Sequence, residues 1–89
     1  MELHSPEVKA DLTARLRRIE GQVRGIEKMV QDERDCSAIL QQMSAVRSAM
    51  HQASLVLARA YASRCLMEPT RGDMDTMLDQ LMATLRKLE

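Results

Sequence analysis

The sequence has almost no aromatic residues: its 89 residues include one tyrosine, no tryptophan and no phenylalanine. This absence excludes nucleic-acid binding by stacking of bases on aromatic side chains. The chain also has no net charge, because 13 Lys and Arg residues balance 13 Asp and Glu residues. The whole-chain charge therefore provides none of the attraction to phosphate that histone-like proteins have.

No apolar run approaches the roughly 20 residues of a membrane-spanning helix, and no signal-peptide pattern opens the chain. With 45% hydrophobic and 29% charged residues, the composition is typical of a globular protein rather than a disordered one. The length fits one small domain. We therefore expect residues 1–89 to form a single domain of a soluble, cytoplasmic protein that has no membrane partner.

Few residues break regular structure, since the chain has three glycines and two prolines. Ser5, Pro6 and Glu7 are typical of a helix start, with a capping hydroxyl, a proline at the first helical position and an acid in the first turn. Apolar residues then recur every three or four positions as far as Val30. This spacing predicts an amphipathic helix over residues 6–31.

The rest of the chain shows the same helical spacing of apolar residues. It predicts a second helix over about 35–66, capped by Asp35, and a third over 73–88. No segment has the alternation of a strand. The predicted fold class is therefore all-α, with three helices in each protomer.

The second predicted helix is too long for a compact monomer. Thirty helical residues span about 45 Å, whereas a compact globule of this chain length has a radius of gyration of about 12 Å. The apolar stripe of this helix therefore needs another chain to cover it. We expect a homo-oligomer, and at least a dimer in which the long helices lie side by side.

The two cysteines lie near opposite ends of this helix. Cys36 and Cys65 are 29 residues apart, which is about eight turns and about 43 Å, so both point to the same side. A disulfide needs Cα atoms within about 7 Å, which excludes an intrachain bond if the helix is continuous. Antiparallel packing of two copies would bring Cys36 of one copy to Cys65 of the other, twice per dimer. Tyr61, one turn before Cys65, shares that side.

Two interpretations of the cysteines remain open. Both can be small buried hydrophobic residues, or they can act as a reactive pair or as metal ligands. At the start of a helix, free N–H groups and the helix dipole stabilise the Cys36 thiolate, whereas the charge of Asp35 opposes it. A thiolate with a partner cysteine suits redox or sulfur chemistry, or a soft metal such as Cu(I). His4 could reach such a site as a third ligand, whereas His51 is expected to be exposed or interfacial.

The zero net charge hides an uneven distribution. Between Lys9 and Arg64 there are ten basic and six acidic residues, and residues 36–66 contain three arginines and no acid. Basic residues of the first helix lie opposite its apolar stripe and along one side of it. This surface is either an ordinary solvated helix face or a contact surface for phosphates and guanine edges. The candidate DNA-binding residues are Arg15, Arg17, Arg18, Gln22, Arg24, Lys28 and Arg47.

Two segments closely resemble the CsoR/RcnR family of transcriptional repressors. They are residues 15–26, RLRRIEGQVRGI, and residues 35–47, DCSAILQQMSAVR. The resemblance covers essentially the whole chain. It implies antiparallel dimers formed through the long second helix, which pair into a disc-shaped tetramer. It also implies binding to double-stranded operator DNA through basic residues of the first helix, and an inducer that acts at the dimer interface to release the DNA.

The members of this family differ in their inducer-site residues. The copper sensors of the family have a Cys–His–Cys ligand set, which the resemblance places at positions 36, 61 and 65. This chain has Cys36, Tyr61 and Cys65 there. Two cysteines without the central histidine resemble the persulfide-sensing branch. Nickel and cobalt sensors use an N-terminal His, a Cys and two further His; His4 and Cys36 fit this set, whereas Tyr61 and Cys65 do not. Formaldehyde sensors begin Met-Pro, whereas this chain begins Met1-Glu2.

The sequence therefore predicts a repressor rather than an enzyme, induced by reactive sulfur species and without a metal or cofactor. In this hypothesis Cys36 takes up sulfane sulfur, Cys65 of the partner copy closes the bridge, and Tyr61 fills the site. The alternative is a repressor that binds Cu(I), or less favourably Zn²⁺ or Ni²⁺, through Cys36 and Cys65 with His4 as a third ligand. A structural helical oligomer without a DNA role and a thiol oxidoreductase are weaker alternatives, the second because no Cys-x-x-Cys motif is present.

Overall fold

The computed structural model describes residues 3–67 and 74–87, except for the side chains of residues 65–67, 74 and 77. These residues form three helices and no strand: α1 (Pro6–Gln31), α2 (Cys36–Met67) and α3 (Met74–Arg86). The all-α prediction is confirmed. The range of α1 is the predicted one, and α2 begins and ends one residue later than predicted. The predicted ends of the third helix, at residues 73 and 88, lie outside the described residues.

The start of α1 has the predicted cap. Ser5 has an extended backbone, and its Oγ accepts a hydrogen bond of 3.3 Å from the backbone N–H of Val8. Pro6 is the first helical residue and Glu7 supplies the acid of the first turn. The side chain of Ser5 thus satisfies one of the four N–H groups that an isolated helix leaves without a partner.

A tight turn reverses the chain between α1 and α2. The backbone N–H of Arg34 donates to the carbonyl of Met29 at 2.9 Å, and Glu33 has a left-handed backbone with a φ of 55°. A left-handed residue after the last turn and a bond back to the last turn are typical of a helix C-terminus. Asp35 then caps α2, as predicted, because its carboxylate accepts a bond of 3.3 Å from the backbone N–H of Ala38.

Both α1 and α3 pack on α2. The chain measures 57 × 26 × 13 Å and has a radius of gyration of 17.1 Å, well above the value of about 12 Å for a compact globule of this length. Its thinnest dimension is little more than one helix diameter. Among the described residues, the buried hydrophobic side chains are Ile19, Ala53 and Leu81. One chain therefore buries little apolar surface.

Much of the apolar surface of α1 and α2 remains exposed. Leu40 is 64% exposed, and Val30 is 53% exposed. Apolar surface of this extent is typical of a protomer that is covered in an assembly. Other exposed apolar side chains on the two helices are Leu16, Val23, Met43, Met50, Leu55 and Leu57.

None of the described helices combines the length and the hydropathy that crossing a membrane requires.

Candidate functional site

Cys36 is the first residue of α2 and its side chain is exposed and free. Its position follows from the cap, since Asp35 ends the turn and its carboxylate accepts a hydrogen bond from the backbone N–H of Ala38. Burial of Cys36 as a small hydrophobic residue would therefore require a second chain to cover it. An exposed sulfur at a helix start is accessible to a reagent, a metal or a second chain.

Cys65 lies in the last turn of α2, and its side chain is outside the described residues. The helix continues without interruption from Cys36 to Met67. The separation of 29 residues therefore corresponds to about 43 Å, which excludes a disulfide within one chain. Any direct contact between Cys36 and Cys65 must join two copies of the chain.

Tyr61 lies in a cleft where the start of α1 meets the end of α2 and the end of α3. This cleft, called the α1–α3 cleft below, has a volume of about 620 Å³. It forms because α1 and α2 are antiparallel, which places the start of α1 beside the last turns of α2. Its lining includes Leu3, His4, Leu57, Tyr61, Arg64 and Thr84. The structure thus brings His4 to the end of α2 that carries Cys65, as the metal-binding alternative requires.

The described part of one chain holds no group of three His, Cys, Asp or Glu residues that could bind a metal ion. The spacing explains this result for Cys36. It lies 25 residues before Tyr61 on the same continuous helix, which corresponds to about 37 Å. A metal site that uses both Cys36 and the residues near Tyr61 therefore needs two chains.

The candidate DNA-binding residues of α1 fall into two groups. Arg17, Arg18, Arg24 and Lys28 are exposed. A Cβ atom added at Gly21, which lies among them, would meet nothing within 4 Å, so the chain itself does not cover this side of α1. Arg15 and Gln22 are half-buried instead. The exposed group is available for contacts with another molecule.

Gln22 is half-buried, and its amide oxygen has surroundings different from those of the exposed cations of α1. Its Oε1 atom is buried and has no hydrogen-bond partner in the described structure. The sequence predicts Gln22 only as a candidate DNA-binding residue, and the burial of its amide oxygen depends on how α1 packs against α2. A buried acceptor without a partner costs about 1–3 kcal/mol.

Arg47 does not lie with the basic residues of α1. It lines a separate cleft between the middle of α2 and the end of α3, called the cationic cleft below, with a volume of about 700 Å³. Its polar lining includes Ser44, Arg47, Ser48, His51, Ser54 and Lys87. Lys87 is not among the site residues predicted from sequence, because only the packing of α3 on α2 brings it to this cleft.

A family model described as "Metal-sensitive transcriptional repressor" matches residues 8–87. This chain belongs to that family. The match confirms the resemblance to CsoR and its relatives that the motifs at residues 15–26 and 35–47 indicate. The assignment to the persulfide-sensing branch stays a prediction.

Relatives within this family include repressors named as copper sensors. The chain is 40% identical over 84 residues to the copper-sensing transcriptional repressor CsoR of Bacillus subtilis, which covers 93% of this chain and 83% of that protein. It is 43% identical over 58 residues to the copper-sensing transcriptional repressor RicR of Mycobacterium tuberculosis, covering 65% of this chain and 60% of the relative.

Solved structures of the family share the fold. The copper-sensing repressor CsoR with Cu(I) from Geobacillus thermodenitrificans has a TM-score of 0.86 at 38% identity, with 98% of this chain and 92% of that chain covered. The formaldehyde-responsive regulator FrmR, as a variant from Salmonella enterica serovar Typhimurium, has a TM-score of 0.84 at 31% identity, with coverage of 98% and 100%. The nickel-responsive regulator InrS has a TM-score of 0.80 at 31% identity, with coverage of 99% and 100%. The fold of this chain therefore occurs in regulators named for copper, formaldehyde and nickel.

Proposed function

We propose that this chain is a DNA-binding transcriptional repressor, and not an enzyme, that releases operator DNA when an inducer joins the two ends of α2 from neighbouring copies. One observation carries the proposal. In a member of a repressor family, Cys36 is exposed at the start of an uninterrupted α2, while Tyr61 and Cys65 lie near its other end. The eight turns between the cysteines place both on one side of the helix.

The proposed assembly pairs two α2 helices in antiparallel orientation. This arrangement places Cys36 against the partner's Cys65 at both ends of the interface, because a two-fold axis repeats each contact. It also covers exposed apolar side chains of α2 such as Leu40 and Met43. We propose that these dimers pair into the tetramer that the family resemblance implies, with the apolar side chains of α1, such as Val23, covered in the assembly.

We propose Cu(I) as the inducer. Two thiolates are the soft ligands that Cu(I) prefers, and imidazole is an acceptable third. Cys36 and the partner's Cys65 would hold the ion, with His4, which lies beside Tyr61 in the α1–α3 cleft, as a third donor. The copper-sensing relatives support this choice.

A second candidate inducer is a polysulfide, and Tyr61 is the observation that favours it. The tyrosine occupies the place of the central ligand of the copper-sensor set, and a phenol is a poor ligand for Cu(I). In this reaction the Cys36 thiolate attacks a sulfur of the polysulfide and displaces a shorter sulfide anion. The partner's Cys65 thiolate then attacks the attached sulfur chain and displaces a second sulfide anion. The two cysteines end bridged, and the polysulfide is the oxidant that is reduced to sulfide.

Release of DNA follows from the connection between α2 and α1. The exposed cations of α1, including Arg17 and Arg24, are proposed to contact the phosphates and base edges of the operator, with Arg18, Lys28, Arg15, Gln22 and Arg47 adding contacts. A four-residue turn joins α1 to α2, so a shift of one α2 against its partner moves α1 as well. The inducer acts only through its different affinity for the two arrangements.

The test compares two inducers on one DNA-release measurement. The oligomer is bound to fluorescent DNA from its own promoter and titrated anaerobically, once with Cu(I) buffered by a strong chelator and once with polysulfide. Under the Cu(I) proposal, stoichiometric Cu(I) releases DNA from the wild type. The variants Cys36→Ser and Cys65→Ser then stay bound to DNA when Cu(I) is added. His4→Gln binds Cu(I) more weakly than the wild type, and Tyr61→His binds it more tightly.

The polysulfide candidate gives a different pattern in the same experiment. Intact-mass analysis then shows covalently linked dimers in the wild type and none in either cysteine variant, while buffered Cu(I) leaves the DNA bound. If neither reagent changes the DNA affinity of the wild type, the proposed inducer site is wrong. If the wild type shows no salt-sensitive binding to its promoter, the proposed DNA binding is wrong.

A further inference from the structure

The cationic cleft is lined by several side chains that can donate hydrogen bonds, and two of them are positively charged. Arg47 and Lys87 contribute positive charge, His51 contributes a ring N–H, and Ser44 and Ser48 contribute hydroxyls. No acidic side chain is among the described residues that line it. All five of these side chains are exposed in the single chain.

The helix α2 contributes no carboxylate to this cleft. From Cys36 to Met67 the helix contains no Asp or Glu, while it carries Arg47, Arg59 and Arg64. The packing of α3 then adds Lys87, which is far from Arg47 in sequence. The fold therefore brings Arg47 and Lys87 to one cleft, and α2 contributes no Asp or Glu that would offset their charge.

The proposed dimer, on which this step rests, strengthens the need for an anion. If Cys36 lies opposite the partner's Cys65, the two-fold axis crosses α2 between Met50 and His51, halfway between the two cysteines. The cleft and its symmetry-related copy then flank that axis. Like charges that approach each other without counter-charges destabilise an interface, and a bound anion would offset this repulsion.

We propose that the cationic cleft is a binding site for a phosphate group, separate from the basic surface of α1. A guanidinium, an ammonium, an imidazole N–H and two hydroxyls together match the several acceptor oxygens and the negative charge of a phosphate. No residue of α1 lines the cleft. The phosphate belongs either to the operator DNA backbone or to a free phosphate-bearing solute.

The test uses a matched pair of variants at the end of α3. Lys87→Gln removes a cation of the cleft, whereas Arg86→Gln removes the neighbouring cation, which does not line it. Both residues are exposed and both lie near the C-terminus of the helix, so the two variants lose similar interactions with the helix dipole. Arg47→Gln and Arg59→Gln form a second matched pair on α2.

The first measurement is thermal unfolding of the full-length oligomer in inorganic phosphate or in chloride at equal ionic strength. Phosphate is expected to raise the melting temperature of the wild type, Arg86→Gln and Arg59→Gln, and to raise it less in Lys87→Gln and Arg47→Gln. If phosphate acts only as a general stabilising salt, it raises the melting temperature of all five proteins by the same amount.

The second measurement is operator affinity as a function of salt concentration. If the phosphate comes from DNA, Lys87→Gln lowers affinity several-fold and reduces the salt slope by about 1 relative to Arg86→Gln. If Lys87→Gln loses the stabilisation by phosphate but keeps the operator affinity of Arg86→Gln, the ligand is a free solute and the proposed site is supported. Identical behaviour of each matched pair in both measurements overturns the proposal. A wild type that binds no DNA contradicts the proposed repressor function, and the phosphate measurement still decides this site.

Discussion

Arg15 donates a hydrogen bond of 2.8 Å from its Nε to the Oδ1 of Asp11, one turn earlier on α1. The two side chains are 40% and 46% exposed, so solvent screens their attraction and the pair adds little to stability. The bond has a larger effect on the distribution of charge along the exposed side of α1. The charge of Arg15 is partly offset, whereas Arg17, Arg18 and Arg24 have no such carboxylate partner within the described residues.

Asp11→Asn is therefore expected to strengthen operator binding. The substitution removes a negative charge that repels phosphate and releases Arg15 for a DNA contact. We expect the affinity to rise about two- to five-fold at low salt, with a steeper dependence on salt concentration. Fluorescence anisotropy with promoter DNA at several salt concentrations measures both quantities.

Asp79→Asn on α3 is the control for Asp11→Asn. It makes the same change in net charge at an exposed site away from α1. If both variants strengthen DNA binding equally, the effect comes from net charge and the Arg15–Asp11 pair is irrelevant.

Gln22→Met is expected to stabilise the protein and weaken DNA binding. Methionine has nearly the same shape and removes the buried amide oxygen that lacks a partner, which gains about 1 kcal/mol in free energy of unfolding. Loss of the amide also removes a proposed contact with DNA. Chemical denaturation at fixed protein concentration and operator binding test the two effects. A variant that is less stable would show that Oε1 has a partner in the assembled protein.

Glu33→Gly is expected to stabilise the turn between α1 and α2. Glu33 has a left-handed backbone with a φ of 55°, which glycine adopts without the steric cost of a Cβ atom. The expected gain is up to about 1 kcal/mol, read from urea unfolding at a fixed protein concentration. Glu33→Ala removes the same charge but keeps the Cβ atom, so it should give no such gain. Equal stabilisation by both variants would assign the effect to charge.

Asp35 caps α2, and its two simplest substitutions separate its cap from its charge. Asp35→Asn retains a capping oxygen, whereas Asp35→Ala removes it and should cost about 1 kcal/mol. Thermal unfolding measures the difference. Equal stability of the two variants would mean that the 3.3 Å bond to Ala38 contributes nothing to folding.

The helices and their caps could be predicted from sequence because they depend on local interactions. Ser5 and Asp35 bond to backbone groups three residues away, and this spacing is visible in the sequence. The bond between Arg15 and Asp11 is local as well, and the four-residue spacing of opposite charges on a helix could have identified it. The orphaned oxygen of Gln22 could not be predicted, because it depends on which side of α1 meets α2.

The sequence by itself determined that this protein is a chain of three helices and that Cys36, Tyr61 and Cys65 share one side of the second. Helical periodicity alone sets that relationship, since it is the same in any uninterrupted helix. Only the tertiary structure placed His4 beside Tyr61 and Lys87 beside Arg47. The residues of each pair line the same cleft although they are far apart in the chain, and the packing of apolar surfaces between helices decides which ends meet.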